Sequence, residues 1–131
     1  MKNLDQVREF FKNDRFATEN GAVIDEIGEL YAKCSLEVQD KHRNAVGAVM
    51  GGVSFMLADF AFAVAANHET VGAVSINASI AFVETVKGSR LIAVARCIKN
   101  GRTACYFDVD VTDDLGTVIA RVSITGLRKN P

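Results

Sequence analysis

Asp59 is the one ionisable residue in VSFMLADFAFAVAA, residues 53–66, where Ser54 is the only other polar side chain. Burying an isolated, ionised carboxylate costs several kcal/mol even after relaxation. One helical turn to either side stand Phe55, Met56, Phe62 and Ala63, none of which can pair with a charge. Asp59 therefore meets a partner from another element or subunit, faces a cavity, or keeps its proton. Each alternative perturbs its pKa, and perturbed carboxyls gather at reactive sites, although a plain loop cap or an interface pair would also satisfy one. Upstream, Gly51 and Gly52 precede the apolar run. At a helix start the first N–H groups are unpaired and the dipole is positive, so an acyl oxyanion could be held there, with glycine letting a ligand approach the backbone. At 1.5 Å per residue, Asp59 lies about 10–12 Å further along the axis. One helix cannot easily bring its own N–H groups and its own Asp59 to one carbonyl; two helices of a symmetric dimer could.

The elements that must position these groups follow from periodicity. Leu4, Val7 and Phe11 recur at helical spacing among charged residues, which predicts a short amphipathic helix over 4–13. Leu30 to Val38 alternates, with Leu30, Ala32, Cys34, Leu36 and Val38 on the inner face of a half-buried strand. His42 to Gly47 has no period and reads as a loop. The segment after Gly51-Gly52 is rich in Ala, Leu, Met and Phe, poor in β-branched residues and apolar all round, so it predicts a helix enclosed by protein. Asn67 and His68 belong to the end of that helix, without chemistry. From Val71 the period becomes two. Val74, Ile76, Ala78, Ile80 and Phe82 share one face and Ser75, Asn77 and Ser79 the other, and 90–98, 103–111 and 117–125 continue as strands. Asn100-Gly101 reads as a two-residue hairpin with φ > 0, and Asp113 to Gly116 as the next turn. The expected fold is α+β: one domain, residues 1–131, with an antiparallel sheet curled around one long helix and a short helix before it. Edge strands and partly apolar outer faces predict a homo-oligomer.

Composition narrows the function. Of 131 residues, 49% are hydrophobic, enough for one core, and 15 basic against 16 acidic residues leave a net charge of −1. No basic stripe invites nucleic acid. The start of the chain is too charged for a signal peptide, and the apolar run is too short to span a bilayer and contains Asp59, so neither membrane nor export is expected. Cys34, Cys97 and Cys105 are odd in number and far apart. That pattern supports neither a disulfide framework nor a zinc site, and it fits buried thiols in a reducing cytoplasm.

His42-x-Asn44-x-x-Gly47, then Gly51-Gly52, then Leu57-Ala58-Asp59, with a strand from Val74 to Phe82 beyond, resembles the hotdog-fold acyl-CoA thioesterases. The phenylacetate-pathway (PaaI-like) branch is the most similar group. The resemblance covers about 30–127 and includes the turn Lys99-Asn-Gly-Arg102. It implies a central helix wrapped by the sheet, subunits joined as a dimer or a dimer of dimers, and hydrolysis of a small or aromatic acyl-CoA without a cofactor or metal. It further implies that Asp59 is the catalytic carboxylate, acting on water or on the thioester. Asn44 and the Gly51 N–H would come from the opposite subunit. His42, Gly52 and, loosely, Ser75 are the neighbouring substrate contacts, although strand alternation puts Ser75 on the face away from the helix. Arg43, Lys99, Arg102 and Arg128 are candidates for the phosphates of coenzyme A. His42 by itself reads as a residue ordering the turn before Asn44. Met50 stands where the family commonly has histidine, and a thioether can barely hydrogen-bond. That departure favours the alternative of an acyl-CoA- or fatty-acid-binding module without turnover. A dehydratase would want a catalytic histidine, and the chain has only His42 and His68.

Overall fold

The computed structural model describes residues 2–129, so Met1, Asn130 and Pro131 lie outside it. Helix α1 spans Leu4–Phe11, α2 Arg15–Glu19 and α3 Gly51–Asn67. The strands are β1 Val23–Gly28, β2 Tyr31–Glu37, β3 Ala73–Phe82, β4 Arg90–Asn100, β5 Ala104–Asp113 and β6 Val118–Arg128. They form one antiparallel sheet in the order β1-β2-β4-β5-β6-β3. The expected α+β hotdog arrangement is present, with α3 lying in the curl.

Each element has a local cause. Asn3 and Gln6 form a reciprocal capping box at the start of α1, which turns Val7 and Phe11 into the core. On α3, Leu57, Ala58, Ala61 and Val64 are fully buried against Ala32, Cys34 and Leu36 of β2 and Leu91, Ala93 and Ala95 of β4. The alanines on both surfaces let helix and sheet approach closely. Phe62 meets Phe107 edge-to-face at 5.2 Å. Gly126 makes room for that ring, because a Cβ there would lie 2.9 Å from Phe62 Cζ.

Four expectations need correction. First, α2 is an additional element, and a strand, β1, precedes the alternating segment; the acidic pair Asp25-Glu26 and a bulge between Ile24 and Glu26 hide its alternation. Second, α3 is not enclosed all round. Gly52 is exposed and Phe55, Met56, Asp59 and Ala63 are partly exposed, forming one stripe at i, i+3, i+4, i+7 and i+11. Third, β3 carries a bulge between Ser75 and Asn77. Ser75 pairs with Gly126, whose missing Cβ would meet Phe62, so Ser75 shares the helix-facing side with Ala78, Ile80 and Phe82. Val74 instead pairs with Leu127 and faces outward. Fourth, the reversal after β4 is not at Asn100-Gly101, since neither has positive φ. The Gly101 N–H donates to Ala104 O at 2.8 Å, so the chain turns at Arg102-Thr103. Gly101 is there for closeness: a Cβ would lie 2.6 Å from Ala104 O.

Candidate active site

The loop before α3 is built on main-chain bonds to side chains. His42 is buried; its Nδ1 accepts from Gln39 N–H at 2.9 Å, and its Nε2–H donates to Asn20 O at 2.8 Å. With both ring nitrogens occupied by backbone, His42 fixes the loop and has none left for a ligand. Asn44 Oδ1 accepts the N–H groups of Val46 and Ala48, each at 3.1 Å, which orients the amide with Nδ2 outward. That Nδ2 donates to no group among the described residues. Arg43 reaches back to Gly47 O at 3.0 Å.

Asn44 and Gly51 meet in a cavity of about 460 Å³, whose wall also includes Ser54, Phe82, Glu84 and Thr85. The first-turn N–H groups of Gly51 and Gly52 have no intrahelical acceptor. At Gly51 a Cβ would lie 2.7 Å from Cε1 of Phe82, so that exposed ring would have to move aside. At Gly52 a Cβ would meet only the flexible end of Met50, 2.6 Å away. Met50 occupies the cap position without a side-chain bond and is 52% exposed. The far wall, 82–86, is pinned by the following loop. Asp113 Oδ2 accepts from the N–H groups of Lys87 and Gly88, both at 2.9 Å, and Asp114 Oδ1 from those of Ser89 and Arg90.

Asp59 is in a different place. It lines a recess of about 290 Å³ with Asp14, Arg15, Phe16 and Met56. It accepts no hydrogen bond among the described residues, and its carboxyl is pushed up, first by burial and then by the nearby charge of Asp14. Arg15, the cation of that recess, is engaged by Glu19. Asp14 is itself pushed up by burial. The two recesses have no residue in common, so within one chain the carboxylate and the oxyanion donors do not converge.

The remaining candidates are scattered. Ser75 is exposed on β3, an edge strand. Lys99 is exposed just after the bulge of β4. Arg102 lines a recess of about 370 Å³ with Arg128, Asn100 and Thr70, near the C-terminal end of α3. That end is tied down by structural bonds. Asn67 bridges α3 to Gly72 and Ala73, and His68 Nε2–H donates to Gly28 O at 2.6 Å. Sequence reasoning missed Asp14 altogether. Its only signal was position, a carboxylate at a break between two helical segments.

A sequence profile described as the thioesterase superfamily matches residues 46–120, the span that contains Gly51, Asp59, β3, β4 and β5. The chain belongs to the thioesterase superfamily. By class it is a thioester hydrolase. An Archaeoglobus fulgidus protein with a provisional esterase name is 32% identical over 129 residues, covering 97% of this chain and 84% of that one. Human acyl-coenzyme A thioesterase 13 is 28% identical over 92 residues, 67% of this chain and 66% of its own length. Among solved structures, the E. coli PaaI protein from the phenylacetic acid degradation operon superposes with a TM-score of 0.87 at 24% identity, covering 96% of each chain, a likeness of fold. Among the described residues, no helix is long and apolar enough to cross a membrane.

Proposed function

We propose that this thioesterase hydrolyses acyl-CoA, with Asp59 of one subunit and Gly51 and Asn44 of a second forming each site. The observation that carries the proposal is the separation just described: an unpaired, partly buried carboxylate and a set of unpaired donors on one helix, opening into different recesses. A second copy related by a two-fold axis would bring one set to the other. The apolar stripe of α3 and the ten-residue edge strand β3, with Val74, Ile76 and Phe82 exposed, are the surfaces it would cover. The name of the human relative supports coenzyme A as the thiol.

In this reading Asp59 removes a proton from water as its oxygen bonds to the acyl carbon. The carbonyl oxygen gains negative charge facing the Gly51 N–H and the Asn44 amide. Collapse breaks the carbon–sulfur bond, and the departing thiolate takes the proton. A thiol with pKa near 8.5 leaves without a strong general acid. A raised carboxyl pKa makes Asp59 a better base at neutral pH. Gly52 and Ser75 are the candidate contacts beside the carbonyl, His42 positions Asn44, and Arg43, Lys99, Arg102 and Arg128 remain the candidates for the coenzyme A phosphates. Three unpaired cysteines suit a reducing cytoplasm.

The test is thiol release from short, long and aromatic acyl-CoAs by wild type and Asp59→Asn. Turnover by the wild type and a fall of about 10²–10⁴-fold in the variant are expected. Binding of acyl-CoA with no release from any substrate would instead leave the non-catalytic module that Met50 favours.

A further inference from the structure

Beneath α1 lies a recess of about 330 Å³ that the site described above does not use. Its floor is Phe11, Ala22, Ile24 and Phe60, each at most 4% exposed, and Phe11 stacks edge-to-face on Phe60 at 6.2 Å. The recess adjoins the Asp59 recess. Phe60 lines both, and the consecutive α2 residues Ala17 and Thr18 line one each. Phe60 is therefore the common wall of two neighbouring recesses, one holding Asp59 and one lying under α1.

The charge of this recess is one-sided. Arg8 and Lys12, one helical turn apart on α1, are the only ionisable residues lining it among the described residues. Their carboxylate neighbours on α1, Asp5 and Glu9, do not line the recess, so the two cations are the charged groups that face its apolar floor. Arg8 is anchored through its Nε–H, which donates to Ile24 O at 2.9 Å. The rest of its guanidinium has only a long contact to Asp5, 3.8 Å away and 94% exposed. Lys12 pairs with Glu9 at 2.7 Å, where both side chains are mostly exposed. Such surface pairs contribute little and exchange readily for a ligand carboxylate held in a less solvated place. The volume is at the small end for ligand pockets, which suits a short chain.

We propose that the recess under α1 is the acyl-end pocket of this enzyme and takes a short acyl chain ending in a carboxylate. The methylenes lie on Phe11, Ile24 and Phe60, and the terminal carboxylate is received by Arg8 and Lys12. This rests on the assignment of thioester cleavage to Asp59, and its test separates the two.

Hydrolysis of glutaryl-CoA and pentanoyl-CoA, equal in chain length, is compared in wild type, in the double variant Arg8→Gln/Lys12→Gln and in Thr18→Trp. Binding of a non-hydrolysable glutaryl-CoA thioether is measured by calorimetry in parallel, and thermal melting confirms that each variant folds. Wild type is expected to favour glutaryl-CoA at least tenfold in kcat/KM, with the double variant bringing that ratio close to one. Thr18→Trp narrows the recess and should slow both five-carbon substrates relative to acetyl-CoA. If no thioester is cleaved but the thioether binds and loses affinity in the double variant, the pocket stands and the catalytic reading falls. A wild type that favours pentanoyl-CoA, or a glutaryl preference untouched by the double variant, overturns the pocket.

Discussion

Two aspartates withdrawn from water show opposite solutions to the same problem. Asp113 is 2% exposed, and its two oxygens accept four backbone N–H groups, from Lys87, Gly88, Leu115 and Thr117, at 2.9–3.0 Å. Burial alone would raise its carboxyl, but those donors outweigh it and hold the group well below the usual carboxylate range. Asp59 is partly exposed and accepts no such donors among the described residues, and burial and Asp14 push it up. Depth therefore does not distinguish a reactive carboxylate from a structural one; the donors around it do. Asp113 closes a turn and holds the wall of a cavity. Asp59 is left with its basicity unspent.

That contrast can be broken at either aspartate. The largest effect belongs to Asp59→Asn, where turnover should fall by about 10²–10⁴-fold while the denaturant midpoint does not fall. A comparable loss of stability without loss of turnover would exchange the roles of the two residues. Next comes Asp113→Asn, which leaves one oxygen for four donors. It should cost about 2–4 kcal/mol in urea unfolding. The sign with pH follows from its depressed carboxyl. Its stabilisation is full above the unfolded pKa of about 4 and is lost as pH falls below that, so the variant should show a flatter acid limb of stability.

Asp14→Asn is a finer probe. Removing the neighbouring negative charge lets Asp59 ionise more easily, so the acid limb of kcat/KM should move to lower pH, with little change at neutral pH. An unmoved limb would mean that Asp14 does not act on the base. The smallest effect is on folding. Ionised Asp59 is a cost, so Asp59→Asn should match or exceed the wild type at pH 7 by under about 1 kcal/mol. The difference should vanish below pH 4, where both states hold the proton.

Much of this was legible in the residues. The α1 pattern, the alternation of Ala32, Cys34 and Leu36, and the alanine-rich helix reported their elements directly, because burial imposes those periods. Features set by single tertiary contacts were not legible. The bulge that turns Ser75 inward leaves no mark in an unbroken apolar–polar alternation. Asn100-Gly101 carries the chemistry of a tight turn, yet the close approach of Ala104 O, not φ, determines the glycine. Asp113 read as an ordinary turn residue, since its donors at Lys87 and Gly88 lie more than twenty residues away. Asp59 could be singled out because an apolar helix has no local partner to offer it. Asp14, contributed by another element, could not.

The most direct measurement is complementation between two inactive subunits, Asp59→Asn and Asn44→Ala. After subunit exchange, verified by mass spectrometry, a site built across the boundary finds both intact groups once in every mixed dimer. An equal mixture should then regain about a quarter of the wild-type rate. A mixture in which mixed dimers form and activity stays at the level of the parents would place the whole site within one chain and contradict this account.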